Sequence, residues 1–220
     1  MTEYARMGRN TVRRHPERGA YDSATIDPLV DAALICHVGF VVEGQPFVIP
    51  TLHARDGDTI LLHGAAGSRL LKHAATGAPL CITITHLDGL VLARSVFNHS
   101  INYRSAVLFG SGHVVDDPAE KLAALLRFTE RLLPGRWDDA REPTAKEIRA
   151  TGVVAVTIES ASAKVRSGPP LDDEADRALP IWAGVLPLAA RFGTPLPAPE
   201  GHPAPPLPDY LARFLAVHRE

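Results

Sequence analysis

From Ile35 to Asp116 the chain is cut into short apolar, β-branched runs by turn residues, and this rhythm constrains its fold more than any other feature. "CHVGFVV" turns through "EGQ" into "PFVIPTLHA", which turns through "RDGD" into "TILLH". Glycine and aspartate supply the turn geometry that tight hairpins need. "LCITITHL" and "LVLARSVF" read as another hairpin across "DGL", and "NYRSAVLFGSGHVV" as a longer strand. At least six strands are therefore expected before residue 116, and "GVVAVTIESASAKV" returns to strand chemistry later. Strands this short and this closely spaced argue against a parallel α/β sheet and for a mainly β fold, a small closed antiparallel barrel.

Helical patterns flank the strands. "SATIDPLVDAALI" begins at a cap, Asp22 or Ser23, and places Ile26, Leu29, Val30, Ala33 and Leu34 at helical spacing. In "DPAEKLAALLRFTERLLPGR", Asp117 is the cap and Pro118 the first helical position, with Leu122, Leu125, Leu126, Leu132 and Leu133 as the apolar stripe. "TAKEIRA" is a shorter helix.

Composition divides the chain into three regions. Residues 1–22 form a basic arm with five arginines, expected to be solvated or to wrap a partner. Residues 23–166 are the barrel domain. Residues 167–220 hold eleven of the nineteen prolines, yet "LPIWAGVLPLAARF" and "PDYLARFL" are too apolar for a free linker. This extension is expected to pack on the barrel or on a second subunit, with Trp182 as a packed anchor and "LDDEADR" as a solvated acidic turn.

A net charge of −2 lacks the signature of a nucleic-acid or anionic-membrane binder. No run approaches the roughly 18 apolar residues of a membrane span, and no apolar signal core opens the chain. Cys36 and Cys81 sit singly in apolar runs, as buried free thiols of a reducing compartment do, so a cytoplasmic location is expected. The ten histidines form no HExxH or paired-ligand motif, and no metal site is expected.

One segment points to chemistry. In "LLHGAAGSRLLKHA" (61–74) a strand ends at His63, gives way to small residues, and starts a helix at Ser68 with Arg69 and Lys72 on it. Unpaired amide groups at a helix start favour an anion, and Arg69 and Lys72 lie on one helical face. On spacing alone an ordinary capped surface helix with solvated cations is the favoured reading, because Ser-Arg at a helix start is common. No phosphate-loop motif is present, and "GSGHVV" lacks the third glycine of a dinucleotide fingerprint.

Taken in order, "RRHPERGAYD", "VIPT", "LLHGAAGSR", "NYRSAVLFG", "KVRSGPPLDD" and "PIWAGVLPL" resemble the pyridoxamine 5'-phosphate oxidase-related FMN-binding proteins, in the branch that includes nitroimidazole reductases. The resemblance implies a six-stranded antiparallel FMN-binding split barrel, a homodimer with flavin at its interface. It further implies that Val48, Ile49, Pro50 and Thr51 lie along the flavin ring and that His63 stands at the ribityl or phosphate end. Ser68, Arg69 and Lys72 would hold the phosphate. Tyr103, Arg104 and Ser105 would approach the flavin across the interface, and Lys164 and Arg166 would close the site. The implied activity is an FMN-dependent oxidoreductase passing electrons from a nicotinamide donor to a small-molecule acceptor. A non-catalytic flavin- or haem-binding protein for storage, sensing or sequestration is the alternative, and haem or a deazaflavin the alternative cofactor. Pyridoxamine-phosphate oxidation itself is not implied, because "AKVRSGPP" stands where those enzymes carry an Arg-Leu-His-Asp-Arg type segment.

Overall fold

The computed structural model describes residues 2–199 and 206–218. Its elements run β1 (Gly19–Ala20), α1 (Ser23–Ala32), β2 (Ile35–Val42), β3 (Gln45–Asp56), β4 (Thr59–Ala65), α2 (Arg69–Ala74), β5 (Pro79–Leu92), β6 (Ser100–Val114), α3 (Pro118–Leu132), α4 (Ala145–Ala150), β7 (Thr151–Arg166), β8 (Gly184–Pro187) and α5 (Asp209–His218). Strands β2 to β7 form the barrel, in the order β7-β4-β3-β2-β5-β6, and the β6–β7 ladder closes the ring. All of its ladders are antiparallel. The two-residue β1 adds to β7, and β8 adds to β5.

The tight turn at Glu43 and Gly44, both with positive φ, pairs Val42 with Gln45 and sets the register of the whole β2–β3 hairpin. Alternation then sends Cys36, Val38 and Phe40 inward, to meet Ile60, Leu62, Leu80, Ile82, Ile84 and Leu108. Burial pushes the Cys36 thiol up to about 12, so it behaves as a small hydrophobe. Helix α1 plugs one end of this core with Ile26, Leu29 and Val30, and Asp22 caps it by accepting the Thr25 N–H at 2.8 Å. On the outer surface, α3 lays Ala124 and Phe128 over Ala54, Leu61, Val153 and Ala155.

Several expectations are corrected. The "DGL" hairpin does not exist: residues 79–92 are one strand, and Asp88–Gly89 is a bulge in it. Gly89 is required there because β8 crosses so closely that a Cβ would stand 2.8 Å from the Leu186 carbonyl oxygen. Before residue 116 there are consequently five long strands and the short β1. The buried face of α3 is Ala124 and Phe128, while Leu126 and Leu132 are exposed, because the sheet beneath takes a narrow contact line. Trp182 is 68% exposed rather than packed.

The flanking regions lie on the barrel. In the basic arm, Asn10 donates to the Ala161 carbonyl at 2.7 Å, and Arg9 bonds Glu159 at 2.7 Å and Ser160 at 3.1 Å. In the acidic turn, Asp172 accepts the Arg94 backbone N–H at 2.7 Å and pairs with its guanidinium, an anchor instead of a solvated charge. Tyr210 of α5 links Arg136 and Asp139 beyond α3.

Candidate functional site

Strand β3 changes partners along its length. Residues 45–52 pair with β2, whereas only residues 53–56 pair with β4. Strand β4 meanwhile stays on β7 through Ala65. The β4-side edge of residues 45–52 therefore carries no strand partner among the described residues, and Val48, Ile49, Pro50 and Thr51 lie on it. Proline cannot donate to a ladder, which suits Pro46 and Pro50 to such an edge, and Val48 is 68% exposed beside it.

Helix α2 stands next to this edge. Ser68 caps it, its hydroxyl accepting the Leu71 N–H at 3.3 Å, and Leu70, Leu71 and Ala74 anchor it in the core. Two glycines seat it. A Cβ at Gly152 would meet Ala66 and Leu71 at 3.0 Å, and one at Gly112 would stand 2.6 Å from the Ala74 carbonyl oxygen. The Arg69 guanidinium lies over the Phe47 ring at 4.4 Å, Phe47 stacks on Phe40 at 5.5 Å, and Phe40 stacks on His73 at 4.9 Å. The helix start is thereby held against β3. Neither Arg69 nor Lys72 has an acidic partner among the described residues.

A second set of candidates gathers on β6 and β7. The register sets Tyr103 beside Arg166 and Ser105 beside Lys164, bringing together residues 60 or so positions apart in sequence. Ser105 donates to the Lys164 carbonyl at 3.2 Å. Arg104 is committed elsewhere: it forks onto Asp88 at 2.9 and 2.8 Å, which holds the Asp88 carboxyl below its usual range. The guanidinium of Arg166 is buried and bonded to Asn102.

His63 joins neither set. Its ring packs under α3 against Phe128, centroids 4.2 Å apart, with a buried Nδ1 that has no partner, and burial lowers its pKa. The aromatic stack beneath Arg69 was not anticipated from the sequence. Its signal was available: Phe40 and Phe47 are equidistant from the Glu43–Gly44 turn and so must be cross-strand partners.

Such a site can do three things: offer backbone groups to the edge of a planar heterocycle, cover a ring face with Val48 and Pro50, and clamp a phosphate with Ser68, Arg69 and Lys72. The described residues fit a flavin nucleotide in donor chemistry, since unneutralised cations and an unpaired strand edge are what its phosphate and pyrimidine ring require.

Comparison with known proteins agrees. The model of the pyridoxamine 5'-phosphate oxidase family matches residues 22–165, and the chain belongs to that family. Among solved structures, the flavocytochrome Anf3 from Azotobacter vinelandii is similar, at 41% identity over 94% of this chain and 96% of that one, TM-score 0.88. The FAD and haem binding protein from Mycobacterium smegmatis is 38% identical over 90% of this chain and 97% of its own, TM-score 0.85. A candidate 5-nitroimidazole antibiotic resistance protein from Bacteroides thetaiotaomicron shares the fold at 24% identity, covering 67% of this chain and 86% of that one, TM-score 0.57. No curated protein matches the chain. The fold is thus that of the flavin-binding split barrels, and no helix among the described residues is long and apolar enough to cross a membrane.

Proposed function

We propose that the protein is a flavin-dependent redox protein, with the isoalloxazine edge on Val48–Thr51 and the 5'-phosphate held by Ser68, Arg69 and Lys72. The observation that carries the reading is the coincidence of the unpaired β3 edge with two unneutralised cations on a capped helix beside it. FMN and FAD share that first phosphate, so one clamp serves either. When bound, the flavin supplies hydride acceptance and one-electron transfer. The chain's own part is to anchor the phosphate, align the ring along the strand, and keep water off the face that Val48 and Pro50 cover.

The set on β6 and β7 comes from strands that do not neighbour β3. In the proposed assembly, a homodimer, Tyr103, Ser105 and Lys164 of one copy complete the flavin site of the other, while Arg166 stays bonded to Asn102. The proposed reaction takes electrons from a nicotinamide donor and gives them to a small-molecule acceptor. Oxidised-flavin absorbance in the purified protein, identification of the released flavin by chromatography, and anaerobic bleaching by NADH or NADPH test the reading. A purified protein that neither carries nor takes up FMN or FAD would refute it.

A second reading, a flavin and haem carried together, has the names of the two relatives at 41% and 38% identity in its favour. A haem needs an axial donor. His37 is the candidate, exposed on β2 across from Pro50 and with no side-chain hydrogen bond among the described residues. A Soret band that vanishes in His37→Ala supports it, and its absence from protein expressed with haem supplied removes it.

A further inference from the structure

Arg166 is buried, at 8% exposure, as is the Asp172 side chain at 6%, but Asp172 is paired with Arg94. A buried guanidinium is costly unless an anion compensates it. None does here: its bonds run to the Asn102 side-chain oxygen and, at 3.4 Å, to the Pro169 carbonyl oxygen, both neutral. A guanidinium has five N–H donors, so most remain uncommitted.

Arg166 also lines a hollow of about 310 Å³, with Arg18, Val165, Ser167, Pro169 and Leu171. Arg18 brings a second positive charge to the same wall, and its own carboxylate contact, to Glu17, is long at 3.6 Å and lies on a 62% exposed side chain. Burial lowers the Arg166 pKa, and Arg18 lowers it further. Two like charges converging on one hollow whose lining carries no counter-charge are unfavourable for folding alone, and become favourable once an anion sits between them. Val165, Pro169 and Leu171 supply the apolar part of the lining. The volume lies at the small end of ligand pockets, which run from roughly 300 Å³ upward.

We propose that this hollow binds a small organic oxyanion, a carboxylate or phosphate carried on a compact apolar group, gripped between Arg166 and Arg18. The ligand is separate from the flavin nucleotide. Ser167 stands beside the charged end, and the apolar part of the lining takes the uncharged end.

The test uses full-length protein as purified, with its flavin content recorded by absorbance, and titrates benzoate, phenyl phosphate and the neutral isostere benzamide by calorimetry. Benzoate or phenyl phosphate is expected to bind saturably, with benzamide weaker by about tenfold or more. Arg166→Gln should abolish binding. Because that buried variant can fail to fold, Arg18→Gln is the second arm, expected to weaken benzoate and phenyl phosphate by about tenfold at an unchanged melting temperature. Equal binding of benzoate and benzamide, or undiminished binding in a folded Arg18→Gln protein, would overturn the proposal. So would anion binding that appears only after flavin removal and is displaced by FMN, since the hollow would then belong to the cofactor's phosphate. Protein that holds no flavin yet binds benzoate through Arg18 would sink the flavin reading and leave this one standing.

Discussion

The end of the barrel plugged by α1 and the side that carries α2 handle charge in opposite ways. Around α1 every arginine has its counterpart. Arg55 pairs with Asp31 and Asp27, Tyr4 donates to Asp27, and Arg131 donates to the Val30, Asp31 and Ala33 carbonyls, closing the helix C-terminus. Around α2, Arg69 and Lys72 meet an aromatic ring and solvent, with no carboxylate among the described residues. Satisfied cations hold the fold together, whereas unsatisfied ones beside an open strand edge leave room for something that is not protein.

The contrast can be broken first at Arg131. Arg131→Ala strips three carbonyl oxygens of their shared donor and is expected to lower the unfolding free energy by about 3 kcal/mol in denaturant titrations. Flavin affinity should stay within about twofold, and a parallel loss of flavin would show that the two regions are coupled.

Next in size is the pH dependence of His53, which bonds the Val30 carbonyl at 3.0 Å within the closed end. Burial pushes its pKa down to about 4 from 6.5, so the unfolded chain binds a proton before the folded one does. Stability is then complete above about pH 6.5 and declines as the pH falls toward 4, by roughly 3 kcal/mol in all. His53→Gln should flatten that part of a urea-midpoint curve.

At the open side, Arg69→Ala is expected to weaken FMN by about 30-fold, some 2 kcal/mol. Its cost to stability should stay under about 1 kcal/mol, the loss of one exposed cation–π contact. Lys72→Ala is the smallest change: being exposed, it should weaken FMN by only about threefold in a fluorescence titration. Equal effects of Arg69 and Lys72 would deny the stacked guanidinium its special place.

Much of this architecture was legible in the sequence because local chemistry and tertiary demand agree. The hairpins at Glu43–Gly44 and Gly57–Asp58, the Asp117 and Ser68 caps, and the long strand after residue 150 follow from turn residues and alternation. What failed did so where a glycine serves packing. Gly89 reads as a turn, since Asp-Gly is a hairpin signal, but its missing Cβ admits the β8 backbone, which arrives from almost 100 residues away. The leucine stripe of α3 misled for a related reason: the burying surface is decided by the sheet below, and small Ala124 with large Phe128 fits it better.

In the candidate site, Ser68, Arg69 and Lys72, the proposed phosphate clamp, lie together at the cap and first turn of α2 because they are local in sequence. The pairing of Tyr103 with Arg166 depends on a ladder between distant strands and could not be read from spacing. The burial of Arg166 without a counter-charge, and its convergence with Arg18, left no sequence signal at all.

The partner change in β3 has a cost beyond the site. A closed ring of strands normally offers nowhere for a stray chain to add, yet residues 45–52 present a bare ladder rail to solvent. Prolines at 46 and 50 fall on the same rail and blunt it by removing two donors. Full protection comes only when that rail is covered, so if the proposed flavin lies there, freshly made chains lacking it should clump more readily than loaded ones, and flavin supply during expression becomes a determinant of yield.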